Sequence, residues 1–277
     1  MTKKMIKEER AARRRPVQRA RPGQQAAQHR RAPIVRFGAG ALALVVLLGI
    51  FLYYGRGTTP DSTAVAASAS LGPLTAGRPA GSTGNYQHVS APLLQGRKPV
   101  LLFIGAQYCP FCAAERWSIV KALALFGTWP TLAVGHSTAG QSGFGDVPTF
   151  DLLHATYRSP HAVFEGKDVA DGSGAALQSL TPDEQSLLNR YDPTGSIPMI
   201  YVDGYVLLGS DYSPAELQGR TFAEVQGQLQ QNSGATYVRD INAEANLLTA
   251  FLCKADGNEP HAACGSSVIQ EIEQELR

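Results

Sequence analysis

Two of the four cysteines in this chain, Cys109 and Cys112, stand three positions apart in the segment GAQYCPFCAAERW, residues 105–117. Thiols at that spacing can exchange electrons with another disulfide, supply half of a metal site, or close a small structural loop. The residues that follow favour exchange. PFCAAERWSIVKALALF puts Ala113, Trp117, Val120 and Ala124 at i, i+4, i+7 and i+11, an amphipathic helix with Gly127 as its stop. Both cysteines then lie in the first turn. Unpaired N–H groups and the helix dipole stabilise a thiolate there, and the second thiol is one turn away to close the disulfide. Cys109 is the expected attacking thiol and Cys112 the resolving one. Pro110 suits the first helical position, where no backbone donor is lost. Tyr108 and Phe111 offer apolar surface to a peptide-like partner, or plain packing.

Three other readings stay open. A structural Cys109–Cys112 bond would close so short a loop that it constrains the unfolded chain little. Zinc would need two more ligands, for which Cys253, His261 and Cys264 have the right side chains, and copper held by the two thiolates is a further alternative. Cys253 and Cys264 also have a simpler use. They flank KADGNEPHAA, a turn-rich loop of ten residues, and a structural disulfide between them is expected to contribute about 2–3 kcal/mol. A second redox pair and a metal site are the competing uses of these two. No metal and no cofactor is expected.

The elements that position the motif follow from pattern. KPVLLFIGA, residues 98–106, is a continuous apolar run of strand length, as expected for a central strand covered on both faces. TLAVGHS, residues 131–137, reads as a second strand, so that strand, helix and strand form a right-handed crossover unit. Residues 138–196 read as a partly helical insertion, with short strands around Phe150 and Val163 and a helix whose capping box is Thr181 and Glu184, with Pro182 first in the helix. SIPMIYVDGYVLLG, residues 196–209, is a hairpin turning at Asp203-Gly204. Capping boxes at Ser213/Glu216 and Thr221/Glu224 start further helices. Apolar spacing over Tyr237–Cys253 places another in a C-terminal helical extension, 233–277, that ends in a short polar helix.

At 277 residues and 44% hydrophobic, the chain can build a substantial core without a metal or disulfide. Its net charge of +2 hides an asymmetry: residues 1–36 hold twelve Lys/Arg and two acidic residues, the remainder thirteen and twenty-one. Between the two lies FGAGALALVVLLGIFLYY, residues 37–54, eighteen residues without a charge. As a helix it is about 27 Å long, near the hydrocarbon thickness of a bilayer. The basic cluster before it places residues 1–36 in the cytoplasm and the rest outside, as a single-pass signal anchor. A cleaved signal peptide is the competing reading, with AVAASAS as its small-residue site. The basic arm has no aromatic residue for stacking, so orientation and lipid contact are favoured over nucleic acid. Residues 55–85, rich in Gly, Ala, Ser, Thr and Pro, read as a flexible extracytoplasmic linker to a domain spanning 86–277.

The apolar strand, the C-x-x-C, its helix and the later Ile197-Pro198 before a hairpin together resemble the thioredoxin fold. This is an α/β class, with a central mixed sheet, flanking helices and here an insertion between the second strand and the Ile-Pro hairpin. KPVLLFIGAQYCPFCAAERW, GSIPMIYVDG and NLLTAFLCKADGNEPHAAC are similar to the signature blocks of a membrane-anchored prokaryotic family catalogued as a domain of unknown function, over about residues 86–265. The resemblance implies a cis-proline, Pro198, facing the motif, and an Ile197 backbone that pairs with a bound substrate strand. One departure stands out. Thioredoxin-like enzymes generally carry an acid six positions before the first cysteine, and here that position is Phe103. Glu115 is a candidate substitute, although a solvated helix face is its plainer role. The resulting expectation is a membrane-tethered extracytoplasmic thiol:disulfide oxidoreductase, acting on thiols or disulfides of secreted or membrane proteins and recycled by a membrane redox partner. The alternative is a non-catalytic binding protein whose cysteines are structural or hold zinc or copper.

Overall fold

The run KPVLLFIG sits at the centre of the molecule because its flanks and faces are all covered. The computed structural model describes residues 71–74, 84–89, 93–138 and 143–276. Strands β1 (Gln87–His88), β2 (Leu94–Gln95) and β3 (Lys98–Gly105) precede helix α1 (Pro110–Leu123). Next come β4 (Thr128–His136), β5 (Pro148–Arg158), β6 (Val163–Asp168), α2 (Pro182–Tyr191), β7 (Met199–Val202) and β8 (Tyr205–Leu208). A 3₁₀ turn, Pro214–Glu216, leads to α3 (Phe222–Gln230), α4 (Thr236–Ala255), α5 (His261–Cys264) and α6 (Ser267–Glu275).

β3 pairs with β6 in parallel and with β7 antiparallel, β8 continues antiparallel beside β7, and β1 and β2 add two short edges. Successive β3 side chains enter opposite cores, as the two-residue period of a strand requires. Leu101 and Phe103 face α1 and α4, whereas Leu102 and Ile104 join Met199, Tyr201 and Val206 in a smaller cluster beneath Leu187, Leu188 and Tyr191 of α2. The architecture is thus mixed α/β, with helices on both faces of the sheet.

The expected strand–helix–strand unit forms with a different second strand. Of residues 131–137, all but Ser137 lie in β4, which pairs antiparallel with β5 in a separate two-stranded sheet. The parallel neighbour of β3 is β6, inside the segment read as an insertion. Pro130 in β4 has no backbone donor for a ladder, and this strand pairs with β5 alone. β5 and α1 are locked together by Trp117, whose indole N–H donates to the Pro148 carbonyl at 2.8 Å and whose ring packs on Phe150 and Phe222.

Local signals hold in several places. Thr181/Glu184 and Thr221/Glu224 both form reciprocal capping boxes. Asp203 and Gly204 take the two left-handed positions, φ 48° and 75°, that a tight hairpin turn demands. Ser213 instead starts only the 3₁₀ turn, because Glu216 accepts a hydrogen bond from the Tyr237 backbone rather than returning to its own cap.

Part of the segment read as a linker is packed. Leu71 is buried, and the Lys121 ammonium near the end of α1 donates to the Leu71 and Gly72 carbonyls at 2.5 and 3.2 Å. Leu74 packs against the same core, so two leucines and the Lys121 bonds hold residues 71–74 on the domain. Burial accordingly lowers the Lys121 pKa to about 8. The basic arm, 1–36, and the apolar run, 37–54, lie outside the described residues; among those described, no helix is long and apolar enough to cross a membrane.

Candidate functional site

The start of α1 is built around sulfur. Cys109 is its N-cap, extended at φ −78° and ψ 119°, and its Sγ accepts the Cys112 backbone N–H at 3.3 Å. Pro110 occupies the first turn, where its missing donor costs nothing. Both thiols are free; Cys112 is fully buried and Cys109 is 5% exposed. The Ile197–Pro198 peptide is cis, and the Ile197 carbonyl oxygen lies 3.8 Å from the Cys109 Sγ. Tyr108 and Phe111 are half-buried around the thiols, and the Phe111 ring meets Phe144 edge-on at 5.9 Å. Thus Tyr108, Cys109, Pro110, Phe111, Cys112, Ile197 and Pro198 come together at one end of β3.

The two thiols are electrostatically unequal. Cys109 is lowered from 9.0 to about 7, first by the hydrogen bond from the Cys112 thiol, then by the Cys112 and Phe111 backbone N–H groups and the charge of Arg116, against the opposing effect of burial. Cys112 is pushed well up, first by burial and then by its bond and charge repulsion with Cys109. At neutral pH Cys109 is near its titration midpoint, while Cys112 is held as thiol.

Behind them lies an ion pair that pattern reading did not single out. Arg116, one turn beyond Cys112 and 2% exposed, donates to the Ala106 carbonyl at 3.2 Å and to Asp168 Oδ1 at 2.5 Å. Its guanidinium lies 5.6 Å from the centroid of the Phe103 ring. Asp168 is the last residue of β6, in register with Gly105. Gly105 is needed there because a Cβ would sit 2.5 Å from the Phe103 ring and 3.0 Å from the Cys112 Sγ. Burial pushes the Asp168 carboxyl up, with Arg116 pulling it down and Asp151 adding to the rise. Arg116 was visible in the quoted motif at i+4 from Cys112. Asp168 had no local signal, since only the β3–β6 pairing brings it near.

Glu115 is not on a solvated face. It is fully buried, and its Oε1 accepts from Ser210 Oγ at 2.6 Å and the Asp211 N–H at 2.8 Å. Burial raises its pKa to about 8. It belongs to a separate polar core in which Tyr86 donates to Glu244 at 2.6 Å and Tyr212 to the Ala114 carbonyl at 2.5 Å. That core joins α1 to α4 through groups that point away from the thiols.

Cys253 and Cys264 form a disulfide, with Cα atoms 5.6 Å apart, joining α4 to α5. Their bond removes both as ligands for a zinc site shared with Cys109 and Cys112. Among the described residues, no group of three or more His, Cys, Asp and Glu is arranged to hold a metal.

Set beside known proteins, residues 85–254 match the model of a family described as Domain of unknown function (DUF929). No curated protein and no solved structure matches the chain.

Proposed function

The chain belongs to this family of unknown function, and from the paired thiols at the start of α1 we propose that it is a thiol:disulfide oxidoreductase. The observation that carries the reading is the placement of two free sulfurs: Cys109 is the N-cap of α1 and accepts a backbone N–H there, and Cys112 is buried one turn along. The order β6-β3-β7-β8, with β6 parallel and β7 and β8 antiparallel to their neighbours, supports a thioredoxin-like fold, as does the cis-proline beside Cys109.

In the reducing direction, Cys109 thiolate attacks a substrate disulfide, forming a mixed disulfide and releasing one substrate thiolate. Cys112 then attacks the Cys109 sulfur, gives up its proton and releases the second substrate thiol. Two electrons pass from the dithiol to the substrate, and the oxidising direction is the reverse. The Ile197 backbone, Tyr108, Pro110 and Phe111 form the surface that receives the substrate chain. The apolar run 37–54 and the basic arm before it support a single-pass anchor with the domain outside the cytoplasm. Substrates are then thiols and disulfides of secreted or membrane proteins, and a membrane electron carrier recycles the pair.

Cys112→Ser tests the step order. The variant is expected to accumulate mixed disulfides through Cys109 when the full chain is expressed in its membrane, seen as reductant-sensitive adducts. A variant that captures no partner, while its Cys109 still reacts with alkylating reagents, overturns the mechanism.

A further inference from the structure

We propose that Arg116, held in place by Asp168, is the positioning residue that sets how readily the two thiols ionise, in the role that an acid on the strand before the motif plays elsewhere. The inference rests on the exchange reading above and names the group that tunes it. Three observations carry it. The guanidinium is buried one turn behind Cys112, and the Ala106 carbonyl that it engages belongs to the turn closed by the Cys109 N–H at 3.3 Å. Its counter-ion is not on the same element: Asp168 comes from β6, and its other oxygen, Oδ2, has no hydrogen-bond partner among the described residues. Phe103 fills the strand position below with an aromatic face, against which the cation packs.

A full buried charge beside thiols favours their anionic form, and a buried anion beside that charge works against it. During resolution, Cys112 thiol plus the Cys109 mixed disulfide becomes the Cys109–Cys112 disulfide plus substrate thiol, so the Cys112 proton ends on the departing sulfur. The transient Cys112 thiolate is the charge that Arg116 stabilises. The other charged groups facing this region are Asp151 of β5, which acts on Asp168, and Cys109 itself. Glu115, on the same helix, turns toward Ser210 and Asp211.

The two members of the pair therefore have opposite effects, which a purely structural ion pair would not. In the reduced full chain, the pH midpoint of Cys109 alkylation by iodoacetamide is expected to rise in Arg116→Gln, fall in Asp168→Asn and stay near the parent value in Arg116→Lys. A move of one pH unit corresponds to about a tenfold change in the thiol–thiolate equilibrium. Should Arg116→Gln fail to fold with Asp168 left unpaired, Asp168→Asn and the Arg116→Gln/Asp168→Asn double variant give the same test. The double variant must then have the higher midpoint. Midpoints that move in the same direction, or not at all, overturn the proposal. Alkylation needs no partner protein, so this failure is separate from a failure of wild-type exchange.

Discussion

The two cysteine pairs are made of the same atoms in different states: Cys253 and Cys264 are joined, Cys109 and Cys112 are free. Cys253 and Cys264 are separated by a turn-rich loop and, closed as a disulfide, fasten α5 to the buried α4. Cys109 and Cys112 are separated by two residues, stay free, and sit where a helix cap, backbone N–H groups and Arg116 converge on one sulfur while burial isolates the other. A disulfide stabilises by restricting the unfolded chain, whereas an exchanging pair requires its reduced form to be supported by the fold. The contrast lies in the surroundings, not in the cysteines.

The largest way to break this comparison is to exchange the roles. Cys109→Ser is expected to abolish turnover of a peptide disulfide, while Cys253→Ala/Cys264→Ala retains it; loss of turnover in the second variant alone would reverse the assignment. The same double variant sharpens the other half. It should lose about 3 kcal/mol of stability in urea unfolding, as the closure of a loop of this length implies, with its exchange rate constant unchanged under conditions where it is folded.

A smaller effect separates the scaffold from the site. Glu115 titrates at about 8 in the fold against 4.5 unperturbed, raised by burial. The folded state therefore binds more protons across that interval, so its contribution to stability is complete below about 4.5 and is lost as pH rises through about 8. In the oxidised protein, where the cysteines do not titrate, the urea midpoint should fall over this range, and Glu115→Gln should flatten the fall. An unchanged slope in the variant would place the titration elsewhere, with Glu244, whose pKa burial also raises, as the group to test next. The smallest effect is at a cap remote from both pairs: Thr221→Ala removes one side of the α3 capping box and should cost about 1 kcal/mol with no change in exchange.

Much of the site was legible because its signals are local. The apolar run before the motif, the helix after it and the DG turn each declare themselves within a dozen residues, and β3, α1 and the β7–β8 hairpin follow. What sequence reading misplaced depends on pairing at a distance. β6 reads VFEGKD, with Glu165 and Lys167 alternating toward the α2 side, where Lys167 meets Glu184 at 3.5 Å. Nothing in those six residues marks them as the parallel neighbour of β3, and without that pairing Asp168 could not be placed behind the thiols. Glu115 failed for a related reason. A charged residue on an amphipathic helix is normally solvated, but α1 is covered on nearly all sides, and the partners that satisfy this carboxyl lie about a hundred residues away. Leu71 and Leu74 were overlooked because a few scattered apolar residues in a Gly/Ala/Ser/Thr/Pro segment show no helical or strand periodicity.

The measurement that tests the account most directly is thiol trapping of both pairs in the full chain across a graded glutathione series, with each cysteine assigned by peptide mapping. The account predicts that Cys109–Cys112 titrates reversibly between about −120 and −270 mV, while Cys253–Cys264 remains oxidised throughout that range, as structural disulfides do below about −300 mV. A Cys109–Cys112 bond that persists as stubbornly as Cys253–Cys264 would make both pairs structural and contradict the oxidoreductase reading.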